Sequence, residues 1–305
     1  MSNKNLHKSK KAKNDEFYTQ LPDIKKELCY YKSHFENKVI FCNCDDPEES
    51  NFWQYFSLNF EFFGLKKLVS THFEEDKPSY KLELMADINK DGKVNGLDTI
   101  KTPLKQNGDF RSPESIKILK EADIVITNPP FSLFREYVAQ LIEYDKKFLI
   151  IGNMNAVICK EIFKLIKEEK LWLGCSYPKE FMQPDGTIKK FGNINWFTNL
   201  DHTKRHEDII LFRTYYGNEE SYPTYDNYDA INVDKVKDIP MDYEGIMGVP
   251  ITFIGKCNPN QFEIIDGLNR YSILTGATDK TRGTFLNTIN GKPKYTRILI
   301  IKKKL

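Results

Sequence analysis

The stretch ITNPPFSLF, Ile126 to Phe134, decides how this chain is read. An apolar run, Ile124 to Thr127, stops at Asn128-Pro129-Pro130, and the aromatic Phe131 follows at once. The two prolines fix the backbone and remove two N–H groups. The turn is therefore rigid, and its carbonyls remain available as acceptors. Asn128 adds a side-chain carbonyl at the tip of the strand. Two acceptors so close together suit an exocyclic amino group, whose nitrogen is a poor nucleophile because its lone pair is delocalised into a ring. Accepting hydrogen bonds from both of its protons favours the pyramidal geometry needed for attack. Phe131 offers a face on which that ring can stack. The plainer alternative is a turn that merely ends a strand. The order amide, proline, proline, aromatic at the end of a buried strand favours methylation of an amino group.

Outward from that turn, strand-like and helix-like segments alternate. Lys38 to Cys42, Leu65 to Ser70, Asp123 to Thr127 and Phe148 to Ile151 read as strands. Asn51 to Phe62, Ser112 to Glu121, Phe131 to Ile142 and Glu161 to Glu169 read as helices. Ser112 is a good N-cap, with Pro113 at the first helical position. Strands separated by helices of this length predict a doubly wound α/β sheet, mostly parallel and covered on both faces. Ligands of such sheets sit outside the carboxyl ends of the strands. That puts Cys42-Asn43-Cys44-Asp45 and Asn128 to Phe131 on one rim. After about Tyr216 the composition turns to Tyr, Asp, Pro and Gly without helical period, which predicts a smaller, irregular, loop-rich C-terminal region. A last strand is expected over Tyr295 to Ile301.

Composition narrows the function classes. The chain has 305 residues and a formal net charge of +2. No run approaches the roughly 20 apolar residues of a membrane span, and the lysine-rich N-terminus has no apolar segment behind it. A cytoplasmic protein with reduced thiols is expected, because the six cysteines are scattered and Cys42-x-Cys44 lacks zinc spacing. Lys8, Lys10, Lys11 and Lys13 precede the first acid, Asp15, and read either as a solvated end or as an arm that neutralises phosphates. DINKDGKVNGLD, Asp87 to Asp98, has the spacing of a calcium loop. The preceding YKLELMA looks like a strand, however, and Asn-Lys-Asp-Gly is equally a hairpin turn. The hairpin is the favoured reading, and no metal is expected.

Eight ordered segments then carry a resemblance: KNDEFYTQ, VIFCNCDDPEESNFWQYF, GDFRSPESI, ADIVITNPPFSLF, YDKKFLIIGN, NWFTNLD, SYPTYDNYDAINVDKVKDIP and GVPITF. On these the chain resembles the EcoRI family of adenine-N6 DNA methyltransferases over most of its length. The resemblance implies a seven-stranded sheet, S-adenosylmethionine as methyl donor, double-stranded DNA as partner, an adenine flipped out of the duplex, and a target-recognition region after the catalytic core. The domain reading is a basic arm over 1–14, a catalytic domain over 15–215 and a recognition region over 216–305, working as a monomer. The best-known member of the family modifies GAATTC, which makes that site the first candidate. A restriction-modification role is implied with it.

The resemblance also assigns residues. The segment Asp15 to Thr19 packs over the methionine end of the cofactor, with a face from Phe17 and hydroxyls from Tyr18 and Thr19. Cys42 to Asp46 occupies the first strand-to-helix turn, where most methyltransferases have glycine and this chain has none. Asn43, Asp45, Ser50 and Asn51 are the cofactor candidates there. Asp109 resembles the acid that accepts from the cofactor's adenine amino group. The ribose-binding acid stays open among Glu74, Glu75 and Asp76. Phe191 and Trp196 are candidates for a second ring against the base, core packing being the stronger reading for Trp196. Cytosine-N4 methylation and protein-glutamine methylation use the same acceptor logic, and a DNA-binding protein without catalysis is the alternative from another class. No credible nuclease site is present.

Overall fold

The computed structural model describes residues 18–44, 46–75, 77–183, 186–226, 228–268 and 287–304. Phe17, Asp45, the arm lysines Lys8, Lys10, Lys11 and Lys13, and most of the stretch 267–285 lie outside them. The chain divides into two compact units, Met1–Met154 with Leu173–Asp201, and Asn155–Trp172 with His202–Leu305.

The strands up to residue 201 are β1 (Tyr18–Thr19), β2 (Val39–Cys42), β3 (Lys67–Thr71), β4 (Tyr80–Leu84), β5 (Ile100–Pro103), β6 (Ile124–Thr127), β7 (Lys147–Asn153), β8 (Trp172–Leu173), β9 (Glu180–Met182), β10 (Ile188–Lys190) and β11 (Ile194–Thr198). Eight of them form one sheet in the order β5-β4-β3-β2-β6-β7-β11-β8. The other three form a small sheet, β1-β9-β10. The large sheet is mixed. β3, β2, β6 and β7 run parallel. β4 and β5 continue antiparallel on one side, and β11 pairs antiparallel with β7 on the other. This corrects the expected seven mostly parallel strands. β4 and β5 come from short segments that follow β3 with no α-helix between them to advertise a crossover, and β11 reaches β7 only after the helix Lys160–Lys167 and the small-sheet strands β9 and β10.

The parallel strands are where the chain buries itself on both faces. Ile40, Phe41, Val125, Ile126 and Phe148 to Ile151 are solvent-inaccessible, as expected for a sheet covered by helices. The helices are α1 (Leu21–Leu28), α2 (Lys32–Phe35), α3 (Asn51–Leu58), α4 (Phe60–Phe63), α5 (Pro113–Glu121), α6 (Phe134–Glu143) and, in the second unit, α7 (Lys160–Lys167). α5 begins as read, with the Ser112 side chain accepting from the Ser115 amide and Pro113 at its first position. The single helix expected over Asn51 to Phe62 is two. Asn59 leaves helical geometry at φ −116°, ψ 21°, and its side-chain amide donates to the Tyr55 carbonyl at 2.7 Å. An asparagine that bonds its own backbone competes with the helix.

The Asp87–Asp98 stretch closes the β4–β5 hairpin, and so is flanked by strands. Its acids serve the loop's own amides: Asp87 accepts from Asp91 and Gly92, and Asp98 from Ile88, Asn89 and Asn95. Among the described residues no group of three or more His, Cys, Asp or Glu side chains is placed to hold a metal ion. No helix among them is long and apolar enough to cross a membrane.

The second unit departs from the irregular region that its composition predicts. β12 (Thr224–Tyr225), β13 (Tyr228–Asn232), β14 (Met247–Pro250), β15 (Phe262–Leu268) and β18 (Arg297–Lys302) make a five-stranded sheet in the order β12-β13-β14-β18-β15. β16 (Thr288–Ile289) and β17 (Lys292–Pro293) form a separate hairpin. The last strand, expected over Tyr295 to Ile301, lies between β14 and β15, with Met247 opposite Ile300 and Phe262 opposite Lys302. A buried polar cluster ties it to β13: Arg297 donates to Asn232 and Asp234, and the Tyr225 hydroxyl donates to Asn232 at 2.9 Å.

Candidate active site at the carboxyl rim of the sheet

The strand order places the site. From β2 the chain crosses to β3 on one side, and it returns later to β6 on the other. The gap between the ends of β2 and β6 is therefore a topological switch point, the place where open α/β sheets bind ligands. The residues that follow these two strands are Asn43 and Asn128. The rim is stitched across the gap by the Cys44 amide, which donates to Thr127 Oγ1 at 3.1 Å.

Asn128 and Pro129 are buried, while Pro130 and Phe131 are half-buried. Phe131 begins a short 3-10 turn that runs into α6. Its ring meets Phe191 edge to face, with centroids 6.4 Å apart at 81°. Phe191 in turn meets Phe181 at 5.5 Å and 75°, and Lys189 Nζ stands 5.1 Å from its centroid. Trp196 is different. It is fully buried against Phe52, which leaves Phe191 as the ring of the two beside Phe131.

Around the first turn, Asn43 is 2% exposed, and its Oδ1 accepts from the hydroxyl of Tyr137. Burial pushes that hydroxyl well above the usual tyrosine range, so it remains a donor. Ser50 caps α3 by accepting from the Phe52 amide. The Asn51 side chain donates to the carbonyl of Thr19 at 2.8 Å, bringing β1 to the same turn. Three buried polar atoms here find no partner in the protein: Thr19 Oγ1, Asn43 Nδ2 and Thr71 Oγ1, the last at the end of β3. Buried polar groups nearly always have partners. Three orphans on adjacent elements of one rim fit a polar ligand with both donors and acceptors.

Asp109 stands in a loop held against the residues that follow β3. Gly108 adopts φ +79°, and a Cβ there would lie 1.9 Å from the His72 carbonyl oxygen, so only glycine fits. Arg111 grips the Asp109 carboxylate with Nε at 2.8 Å and Nη2 at 2.6 Å. Burial pushes the carboxyl up, but the hydrogen bonds and charge of Arg111 outweigh it and hold the group below the usual range. Glu74 and Glu75 follow β3 in an irregular segment, and Asp76 lies outside the described residues.

Thr71, Tyr137 and Glu27 escaped the sequence reading. Tyr137 was within reach, since Phe134, Tyr137, Val138 and Leu141 make the buried face of α6 at helical spacing. Thr71 carries no signal beyond ending a strand.

Comparison with known proteins shows what the chain is similar to. A sequence model of the family described as adenine-specific methyltransferase EcoRI matches residues 5–304. The chain is 49% identical over 333 aligned positions to the Type II methyltransferase M.EcoRI of Escherichia coli, covering 100% of this chain and 98% of that protein. It is 42% identical to the Type II methyltransferase M.MpnI of Mycoplasma pneumoniae, covering 98% of each. It is 40% identical to the Type II methyltransferase M.MgeORF184P of Mycoplasma genitalium, covering 98% of this chain and 99% of that one. No solved structure gives a significant match.

Proposed function

The chain belongs to the adenine-specific EcoRI methyltransferase family, and from that premise we propose that it moves a methyl group from S-adenosylmethionine to N6 of an adenine rotated out of duplex DNA. The observation that carries the proposal is the position of Asn128-Pro129-Pro130-Phe131 at the switch point, facing the first strand-to-helix turn across one hydrogen-bonded gap.

Asn128 and the carbonyl of Pro129 accept the two N6 protons, and Phe131 stacks on the adenine with Phe191 closing the second side. When bound, S-adenosylmethionine supplies an electrophilic methyl group on a sulfonium. Thr19, Asn43 and Thr71 meet it with the buried polar atoms that the protein leaves unmatched. Phe17, Tyr18, Asp45, Ser50, Asn51 and Asp109 complete the assignment from the resemblance. The chain's share of the catalysis is positioning and orientation of hydrogen bonds. The nitrogen gains its positive charge in the transfer and sheds a proton afterwards, so neither a strong base nor a metal is required.

The lysines Lys8, Lys10, Lys11 and Lys13 act as an arm on the phosphates, and the region 216–305 reads the target as part of a monomer. The cellular setting is the cytoplasm and a restriction-modification role, with GAATTC as the first site to test. The direct test is nucleoside analysis of duplex DNA treated with the purified protein and S-adenosylmethionine. N6-methyladenine is the expected product; N4-methylcytosine alone, or label in protein and not in DNA, would overturn the reading. Modified-base sequencing of the same DNA decides the site. Removing residues 1–13 should flatten the salt dependence of DNA binding by about 0.9 for each phosphate that the arm no longer neutralises.

A further inference from the structure

Glu27 is a buried carboxylate that the transfer chemistry does not use. It is solvent-inaccessible, and its oxygens accept from the Cys175 amide at 2.7 Å, the Ser176 amide at 2.6 Å, the Ser176 hydroxyl at 2.6 Å and the Tyr31 hydroxyl at 2.9 Å. The room for it is made by Gly174: a Cβ there would sit 2.2 Å from Glu27 Oε1 and 2.7 Å from Trp196 Cβ. Gly174 also anchors the turn to the large sheet, its amide donating to the Trp196 carbonyl at 2.9 Å.

These hydrogen bonds belong to a series. Tyr18 and Thr19 pair with Met182 and Phe181. Asp23 Oδ2 accepts from the Lys179 amide at 3.2 Å. Glu27 then takes the amides of Cys175 and Ser176. The segment from Tyr18 to Leu28 thus runs antiparallel to the segment from Cys175 to Met182 and is tied to it at both ends and in the middle. The last link leads to the site: the Phe191 amide donates to the Lys179 carbonyl at 2.9 Å. Phe191 is therefore hung from a strip of chain whose position is set by α1.

Four neutral donors converge on Glu27. Burying a carboxylate is costly, and these hydrogen bonds serve first to offset that cost. What the carboxylate supplies is direction, since two successive amides and a hydroxyl must all point at one group. We propose that Glu27 is a positioning residue for methyl transfer, holding the strip that sets Phe191 edge to face beside Phe131. This rests on the reading of Phe191 as the second ring at the target adenine.

A double-mutant cycle separates positioning from plain stability. Glu27→Gln keeps the shape but turns an amide nitrogen toward donors. In the parent background it should slow single-turnover methylation about 10–100-fold, as displacements near 1 Å do. In a Phe191→Ala background it should cost no more than about twofold, because a residue acting through Phe191 has nothing left to act on. The fluorescence of 2-aminopurine placed at the target base should rise with either single change and rise no further with both. Independent, multiplying losses would make Glu27 a stability residue and overturn the proposal, as would a parent-like rate for Glu27→Gln. A parent-like rate for Phe191→Ala would remove both the base-side role of Phe191 and this proposal, while formation of N6-methyladenine would leave the overall function standing. If Glu27→Gln does not fold, Asp23→Ala, at the partly exposed middle tie, carries the same cycle with a smaller expected loss.

Discussion

The two units treat their buried polar groups in opposite ways. Among the described residues, every buried side-chain nitrogen or oxygen without a hydrogen-bond partner belongs to the first unit, Thr19, Asn43 and Thr71 at the rim among them. The second unit buries Asn232, Asn258, Asn287 and Arg297 and satisfies them internally. Asn258 donates to His206 and Asp208, Asn287 to the carbonyls of Lys294 and Tyr295, and Arg297 to Asn232 and Asp234. An unmatched buried polar atom is expensive unless something else supplies its partner. The unmatched atoms at the rim of the first unit fit a ligand, whereas among the described residues of the second unit no buried side-chain nitrogen or oxygen is left for one.

That contrast can be broken in four places. The largest effect is expected at Asn128. Asn128→Ala should lower the single-turnover rate about 10²–10³-fold, the usual loss for one transition-state hydrogen bond, while melting temperature and cofactor binding stay near those of the parent. A large fall in stability instead would mean that the rim asparagine serves the fold. Next comes Arg297 in the second unit. Arg297→Met should cost about 1–3 kcal/mol of stability, because Asn232 and Asp234 lose a charged donor, with no change in the methyl-transfer step. Denaturant titration and single-turnover rates together give the answer, and a rate loss without a stability loss would contradict the division of labour.

Thr71→Val is the sharper, smaller test. Deleting an unmatched buried hydroxyl should leave the ligand-free protein as stable as before or slightly more so, yet weaken cofactor binding by about 0.5–1.5 kcal/mol, the net worth of one hydrogen bond. Calorimetric titration with S-adenosylmethionine reads this directly; unchanged affinity would show that Thr71 does not reach the ligand. The smallest effect concerns Asp109. Its folded carboxyl lies below the ordinary range because Arg111 outweighs burial. The sign follows from that: the pair stabilises the fold above the unfolded-state pKa, and the contribution is lost as pH falls through the folded one. Asp109→Asn should therefore lower stability in the neutral region, where the charged pair contributes, converge with the parent at low pH, and so flatten the acid side of the stability profile. An acid limb as steep as the parent's would assign the loss to other groups.

How much of this could be read beforehand depended on whether the cause was local. β2, β6 and β7 are continuous apolar runs because both of their faces are covered, and α5 announces itself with Ser112 and Pro113. The Asn128–Phe131 turn is legible as a rigid strand end because its amide, two prolines and ring are four consecutive residues. The sheet of the second unit is not, since its strands are short and their partners distant, Met247 finding Ile300. Glu27 is less legible still. In LPDIKKEL it is an ordinary acid on a charged helix, and only the fold reveals that the turn at Gly174 encloses it. The break at Asn59 needed one side-chain hydrogen bond to decide between two helices and one.

The pairing of β1 with β9 also sets an order of events in synthesis. Tyr18 and Thr19 are made well before their partners, Met182 and Phe181, which come more than half the chain later. Loops that long close at modest entropic cost yet slowly, and domains generally fold as units during translation. The central strands β2, β3, β6 and β7 can assemble while the N-terminal strand still waits. The proposed donor pocket, which borrows Thr19 from that strand, would therefore be finished only after residue 182 has left the ribosome. A stalled chain ending before Glu180, once clear of the exit tunnel, should gain no protease protection from S-adenosylmethionine. One ending after β11 should gain it. Competence to bind the donor would then report that the first unit has closed, and not merely that its central sheet has formed.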